Sequence, residues 1–263
     1  MPTVHPTAII EGAVTLGEGV EIGPYCIVRG PVTVGAGSVL ISHVNLQGPL
    51  TLGARNVVYP NACLGFAPQH ARYDPSAPGA GLHVGDENTF REGVTVHRSF
   101  TEHTSRIGNG NLFMNGSHAG HDCVIGSNCT FGGGTMIGGH VEVGDRVLTG
   151  GMAGIHQFVR IGRGAMVSGL CGVTKDVLPF NTITALNVAG SINLVGMRRQ
   201  GLASEQIDNL KWAWSVLCRR GLPMPKALAE VATRLDDPIV AEVHAFAAAS
   251  TRGWCTLRSN SLR

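Results

Sequence analysis

The stretch Ile22-Gly23-Pro24-Tyr25-Cys26-Ile27-Val28-Arg29-Gly30-Pro31-Val32-Thr33-Val34-Gly35-Ala36-Gly37-Ser38-Val39-Leu40 carries an aliphatic residue at every sixth position. Toward the N-terminus the same phase takes in Leu16, Ile10 and Val4; toward the C-terminus it takes in Leu46, Leu52, Val58 and Leu64. Gly follows at Gly17, Gly23, Gly35, Gly53 and Gly65. A period of six matches neither the 3.6 of a helix nor the 2 of a half-buried strand. It matches a solenoid in which one aliphatic side chain per short flat face points inward. Such a side chain cannot bury itself within its own turn and relies on the coils above and below. Three hexads close one triangular coil, and neighbouring coils then stack about 4.8 Å apart, as adjacent strands do.

The phase slips across Phe66–His83, resumes at Val84, Phe90 and Val96, and slips again over His97–Arg106. It restarts at Ile107 and runs through Phe113, Ala119, Ile125, Phe131, Ile137, Val143, Thr149, Ile155, Ile161, Val167 and Val173. The first break holds three Pro and reads as an extruded loop, which in a compact solenoid is more often functional than accidental. The second reads either as a shorter excursion of that kind or as a plain bulge. After Pro179 the hexads fade and helical signals begin. Ser204 reads as an N-cap, Ile207, Leu210, Trp214 and Leu217 share one face, and Gly221 ends the helix. Lys226–Leu235 and Pro238–Ser250 read as two further helices, with Asn193–Gln200 as a short first one. The expected organisation is an all-β solenoid over residues 1–189, with excursions at 66–83 and 97–106, and a small helical domain over 190–263.

Composition excludes several classes. The 37 Gly and 5% aromatics argue against a helical bundle and for repeated tight turns. A net charge of +2, with no Lys/Arg run beyond a dipeptide, gives no nucleic-acid footprint. Seven scattered Cys without a Cys-x-x-Cys pair read as free thiols of a reducing compartment. The opening Met1-Pro2-Thr3-Val4-His5 has no signal-peptide character, and no apolar stretch approaches the length of a membrane span. A cytoplasmic protein is expected.

Chemistry concentrates late in the solenoid, in Asn115-Gly116-Ser117-His118-Ala119-Gly120-His121-Asp122-Cys123 and at His140 and His156. His140 lies nineteen residues beyond His121, hence one coil up and about one residue round. Imidazoles gain and lose protons near neutral pH, so a column of them is a candidate site. Three readings stand side by side. One is a ladder of hydrogen-bonded corner histidines without chemistry. Another is a metal site, although the His-x4-His pair of zinc enzymes on such solenoids does not occur here. The third is a general base, His121, oriented by Asp122 curling back at a corner.

The segments Ile22-Gly23-Pro24-Tyr25-Cys26, Arg91-Glu92-Gly93-Val94-Thr95-Val96-His97-Arg98, Ala119-Gly120-His121-Asp122-Cys123, Gly139-His140-Val141, Ile155-His156-Gln157-Phe158 and Asn193-Leu194-Val195-Gly196-Met197-Arg198-Arg199 resemble the UDP-N-acetylglucosamine acyltransferase family, which begins lipid A synthesis. The resemblance runs nearly end to end. It implies a left-handed parallel β-helix of hexapeptide repeats with a small C-terminal α-helical domain, assembled as a homotrimer with sites between adjacent solenoids. It implies transfer of an (R)-3-hydroxyacyl chain from acyl carrier protein to the 3-hydroxyl of a UDP-amino sugar, with no cofactor and no metal. Carried over by resemblance, His121 is the base, Asp122 its orienting partner, and the Gly139 N–H the oxyanion donor. His118, His140 and His156 line the sugar and acyl sites, and Gln157 and Asn193 contact the nucleotide sugar or pantetheine. Gly169 stands at the acyl-length ruler, and Arg199, with Arg198 beside it, at a phosphate or carrier-protein contact.

The pattern departs at Pro68-Gln69-His70-Ala71-Arg72-Tyr73, where the family has Asp and Lys at the positions of His70 and Arg72. Leu186, Val195 and Gln200 also depart, replacing His, Glu and Arg. These changes keep the reaction type and leave the acceptor open between the 3-hydroxyl sugar and its 3-amino analogue; the competing readings of another class are a paralogue that binds without chemistry and a zinc hydratase on the same scaffold.

Overall fold

A computed structural model of the protein describes residues 1–76 and 79–257. Ala77-Pro78 of the expected loop and residues 258–263 of the expected helical domain lie outside the described residues. The chain winds as a left-handed parallel β-helix. Glu21–Ile22, Ile27–Arg29 and Val32–Val34 lie on three successive faces, and Val39–Leu40 returns to the first. Among the described residues these faces are sheets of eleven, nine and eight strands, here called the first, second and third. Partners lie eighteen residues apart, as in Thr3 with Glu21 and His118 with Met136.

The hexad residues fill the interior. Leu40, Leu52, Leu64, Phe90, Phe113 and Phe131 are fully buried. The three Phe stack along the axis with ring centroids 5.0 and 4.7 Å apart. Each buried aromatic contributes on the order of 2 kcal/mol by leaving water. Val4 and Ile10 keep the phase but are 41% and 38% exposed, because the first coil has a neighbour on one side alone.

Both breaks are insertions at corners. Val57 pairs with Thr89, thirty-two residues on, and Thr89 with Leu112, twenty-three on, an excess of fourteen and five residues over one coil. The excursions proper are shorter than the sequence reading placed them. Phe66, Leu82-His83, His97 and Ser105-Arg106 belong to strands, since each finds a paired neighbour there. Leu82 rejoins in register against Leu50, so the loops leave the prism undisturbed.

At the far end, strands Asn181–Ala185 and Val188–Ile192 form an antiparallel hairpin that closes the first face. The hexad phase gave no sign of it. Helices α1 (Leu194–Arg199), α2 (Ser204–Trp214), α3 (Met224–Val231) and α4 (Pro238–Ala248) follow. Ser204 opens α2 rather than capping it; the cap position is Ala203, whose N–H donates to Gln206 Oε1 at 3.0 Å. A π-helical turn, Ser215–Arg219, extends α2 toward Gly221, which takes positive φ. The third helix starts before Lys226, with Pro225 in its first turn, where a missing N–H costs nothing. Asp237 caps α4 by accepting from Ile239 and Val240 N–H. Arg163 grips Glu242 of α4 through two 2.6 Å hydrogen bonds and ties the helices to the prism.

Candidate active site

Gly120-His121-Asp122-Cys123 makes the corner between strands His118–Ala119 of the second face and Val124–Ile125 of the third. Along an extended strand neighbouring side chains diverge, but Asp122 has φ 59°, and this left-handed turn sends its carboxylate back to its predecessor. Asp tolerates that conformation at a cost of about 1 kcal/mol. Ser105 Oγ, accepting the Asp122 N–H at 2.9 Å, helps hold it. His121 Nδ1 then lies 2.8 Å from Asp122 Oδ2. The next residue, Cys123, faces inward; burial pushes its thiol up to about 12, which makes it a packing residue rather than a nucleophile.

One coil up, Gly139 lies against His121. A Cβ there would stand 2.8 Å from both Cε1 and Nε2 of the imidazole. Only Gly leaves that edge of the ring open. His140 follows, donating its backbone N–H to His121 O, with its ring edge-on to His121 at 5.1 Å and its Nε2 3.9 Å from Asp122 Oδ2. Burial holds the His140 imidazolium below its usual range, and the charges of His121 and His70 add to that against the pull of Asp122. A further coil up, Phe158 stacks on His140 at 4.5 Å.

The two excursions roof this corner. His70 stacks on Phe100 at 4.8 Å, and both rings meet His121 edge-on, at 5.5 and 5.0 Å. Just 10% of the His121 side chain stays exposed, but its cover is loop, outside the coil, and not the prism interior. His118 stands on the second face, its Nδ1 2.8 Å from Thr95 Oγ1 and its ring 5.3 Å from His97. Burial, and then the charges of His97 and His121, lower its pKa to about 4, so it is neutral through the working range.

Burial raises the Asp122 carboxyl, but hydrogen bonds from His121, Thr101 and the Phe100 N–H outweigh that and hold it below the ordinary carboxylate range. Among the described residues, His121, Asp122 and His140 are the group whose ligand atoms come within 4.8 Å of one another, as a metal site requires. Both Asp122 oxygens are already committed to protein donors, however, so the arrangement is a hydrogen-bonded dyad.

The other expected positions fall elsewhere. Arg72 is exposed on the first excursion, where its N–H donates to His70 Nδ1 at 3.2 Å. His156 and Gln157 are exposed; His156 and His118 line a groove of about 380 Å³ along the second face, floored by Met136, Gly154 and Gly172. Gly169 sits at a different corner, between the first and second faces. Asn193 and the exposed Arg199 line a cleft of about 740 Å³ on the first face, with Arg146, Leu148 and Met166. Asn193 also caps α1, accepting from Gly196 N–H and donating to Gly164 O. Within one chain, then, His70, His118, His121, Asp122, Gly139 and His140 converge, while Asn193, Arg199 and Gly169 do not join them. The sequence reading passed over His97, Phe100, Thr101 and Ser105. Phe100 meets the His121 ring, Thr101 and Ser105 bond Asp122, and His97 lies against His118; the five-residue insertion that brings Phe100 and Thr101 there has a length the sequence does not announce.

Comparison with known proteins agrees with the fold. Residues 104–139 match the profile described as bacterial transferase hexapeptide (six repeats), and residues 176–255 match Udp N-acetylglucosamine O-acyltransferase, domain 2. The acyl-(acyl-carrier-protein)–UDP-N-acetylglucosamine O-acyltransferase of Anaeromyxobacter dehalogenans is 39% identical over 254 residues, 95% of this chain and 98% of that one. The protein of the same name from Paraburkholderia phymatum is 43% identical over 265 residues, 96% and 99% of the two chains. The crystal structure of UDP-N-acetylglucosamine O-acyltransferase from Moraxella catarrhalis superposes with a TM-score of 0.90 at 34% identity, covering 96% of this chain and 99% of that one. With near-complete coverage of such relatives and the same prism, the chain belongs to the acyl-acyl-carrier-protein–UDP-N-acetylglucosamine O-acyltransferase family.

Proposed function

We propose that this protein transfers an (R)-3-hydroxyacyl chain from acyl carrier protein to the 3-hydroxyl of UDP-N-acetylglucosamine, the opening step of lipid A synthesis, with His121 as general base. The observation that carries the mechanism is the His121–Asp122 pair. Asp122 is held as a carboxylate and can only accept, so His121 Nδ1 carries the proton and Nε2 keeps its lone pair. Nε2 takes the proton of the sugar 3-hydroxyl as that oxygen attacks the thioester carbonyl carbon. The C–O bond forms, and charge gathers on the carbonyl oxygen, for which the Gly139 N–H is the proposed donor. Collapse breaks the C–S bond, and the departing thiolate takes the proton from His121, restoring the base. Asp122 stabilises the imidazolium between the two transfers without itself becoming protonated.

The two-site layout of the single chain supports assembly as a homotrimer. The corner of His121, between the second and third faces, and the cleft of Asn193 and Arg199, on the first, are separate places on one chain. Met136, Met152, Phe158 and Leu170 stand 52–82% exposed along the same coils, apolar surface that a neighbouring prism would cover. On this reading the acyl chain lies along the groove of His118, His156 and Gly172, and the partners are acyl carrier protein and the nucleotide sugar. No described helix is long and apolar enough to cross a membrane. The seven free cysteines, six of them buried, fit a reducing cytoplasm.

The test is acyl transfer by purified protein from 3-hydroxyacyl carrier protein to UDP-N-acetylglucosamine. His121→Ala is expected to lower kcat by about 10³-fold, in the range general bases supply, with melting temperature and oligomeric mass unchanged. Wild-type-like turnover by that variant removes the proposal.

A further inference from the structure

The excursion 98–104 owes nothing to the hexad repeat, yet its backbone and one side chain close on the catalytic corner. Asp122 Oδ1 accepts from Thr101 Oγ1 and, at 3.3 Å, from Thr101 N–H. Asp122 Oδ2 accepts from Phe100 N–H at 3.3 Å and pairs with His121 Nδ1 at 2.8 Å. Ser105, where the excursion rejoins the prism, fixes the Asp122 main chain. Among the described residues, the hydrogen-bond donors to that carboxylate other than His121 all come from the excursion. A carboxylate on a single torsion beyond Cβ, at a corner with positive φ, has nothing in its own coil to choose the rotamer that meets His121. The excursion makes that choice.

We infer that Thr101 is a positioning residue, and that the 98–104 excursion clamps Asp122 so that its free direction points at His121 Nδ1. The inference rests on the proposed role of His121. It gives a role to the second break in the hexad phase, which the repeat alone left open between a functional excursion and a plain bulge. The Thr101 hydroxyl is the one side-chain donor of the clamp, with the two backbone N–H groups beside it. Around the carboxylate stand His121, His140 at 3.9 Å and the inert Cys123 thiol, with His70 one ring further out. None of these can replace the hydroxyl's contact with Oδ1.

The experiment compares Thr101→Val, which keeps shape and removes the hydroxyl, with Thr101→Ser, which restores it, in the full-length protein. Steady-state acyl transfer is measured from pH 5 to 9, with His121→Ala run alongside. Thr101→Val is expected to lower kcat about tenfold with both KM values within twofold, as loss of orientation rather than of binding. Thr101→Ser should return kcat toward wild type. If Thr101→Val keeps kcat within twofold, or loses rate through KM alone, the clamp is refuted while His121 stands. If His121→Ala retains full rate, the base assignment fails and the clamp with it. Should Thr101→Val lose its fold, Thr101→Ser, which keeps the hydroxyl on the same carbon and removes the methyl, decides alone: wild-type kcat supports the clamp, and an unfolded Ser variant overturns it in favour of a packing role.

Discussion

Two corners of the same prism are both polar and both lined by stacked side chains, yet one is inert. At the corner between the third and first faces, Asn56, Asn88 and Asn111 form a buried ladder. Asn88 donates its backbone and side-chain N–H groups to Asn56 Oδ1, and Asn111 does the same to Asn88 Oδ1. Ser38 closes the ladder below and Cys129 N–H above. Every side-chain amide oxygen and nitrogen of the ladder is bonded to a neighbour. At the corner between the second and third faces, His121 spends Nδ1 on Asp122 and keeps Nε2 against a glycine. The difference lies in one unspent lone pair and the missing Cβ that leaves it reachable, rather than in polarity or burial.

That contrast can be broken in three further ways. Gly139→Ala should have the largest effect. The added methyl lands on the imidazole edge, and we expect a loss of about 10²-fold in kcat, with the coil intact by circular dichroism. A variant with normal kcat would show that Nε2 needs no open edge. Next, Asn88→Ala should strip partners from Asn56 and Asn111 and cost about 3 kcal/mol in denaturant unfolding, the penalty of buried polar groups left unpaired. Its kcat per folded protein should stay within twofold; a catalytic loss there would erase the distinction between the corners. The smallest effect concerns His118. Its folded pKa of about 4 lies below the unfolded value near 6.5, so the unfolded chain binds the proton first. Its contribution is full above pH 6.5 and is lost as pH falls toward about 4. Melting temperature should therefore fall less between pH 7 and 5 in His118→Gln than in wild type, and parallel curves would remove that account of His118.

The prism was legible from the sequence because the signal is redundant. A single misfit such as Thr149 cannot hide a period that Leu40, Leu52, Phe113 and Phe131 all keep. The nearness of His140 to His121 was legible for the same reason, since eighteen-residue arithmetic holds within an uninterrupted run; Gly139 came from the family resemblance instead. That arithmetic fails across insertions. Thr95 pairs with His118 twenty-three residues on, so His97 and the 98–104 loop reach the site by a length that no residue encodes locally. The hairpin 181–192 was missed because its alternation of Thr182, Ile183 and Thr184 covers the last coil from above, a task for which hexads carry no mark. His70 was read as a departure at the acceptor; the structure adds that its ring lies beside His121 itself.

The coil register has a consequence for how such a chain can change length. One full circuit is eighteen residues, so a segment of that size added above Val173 would raise the helices by about 4.8 Å and leave every column beneath them aligned. A segment of any other size inserted between residues 121 and 140 would move His140 away from His121. Length in this protein is thus quantised along the prism axis and free only at the corners, where the two excursions enter.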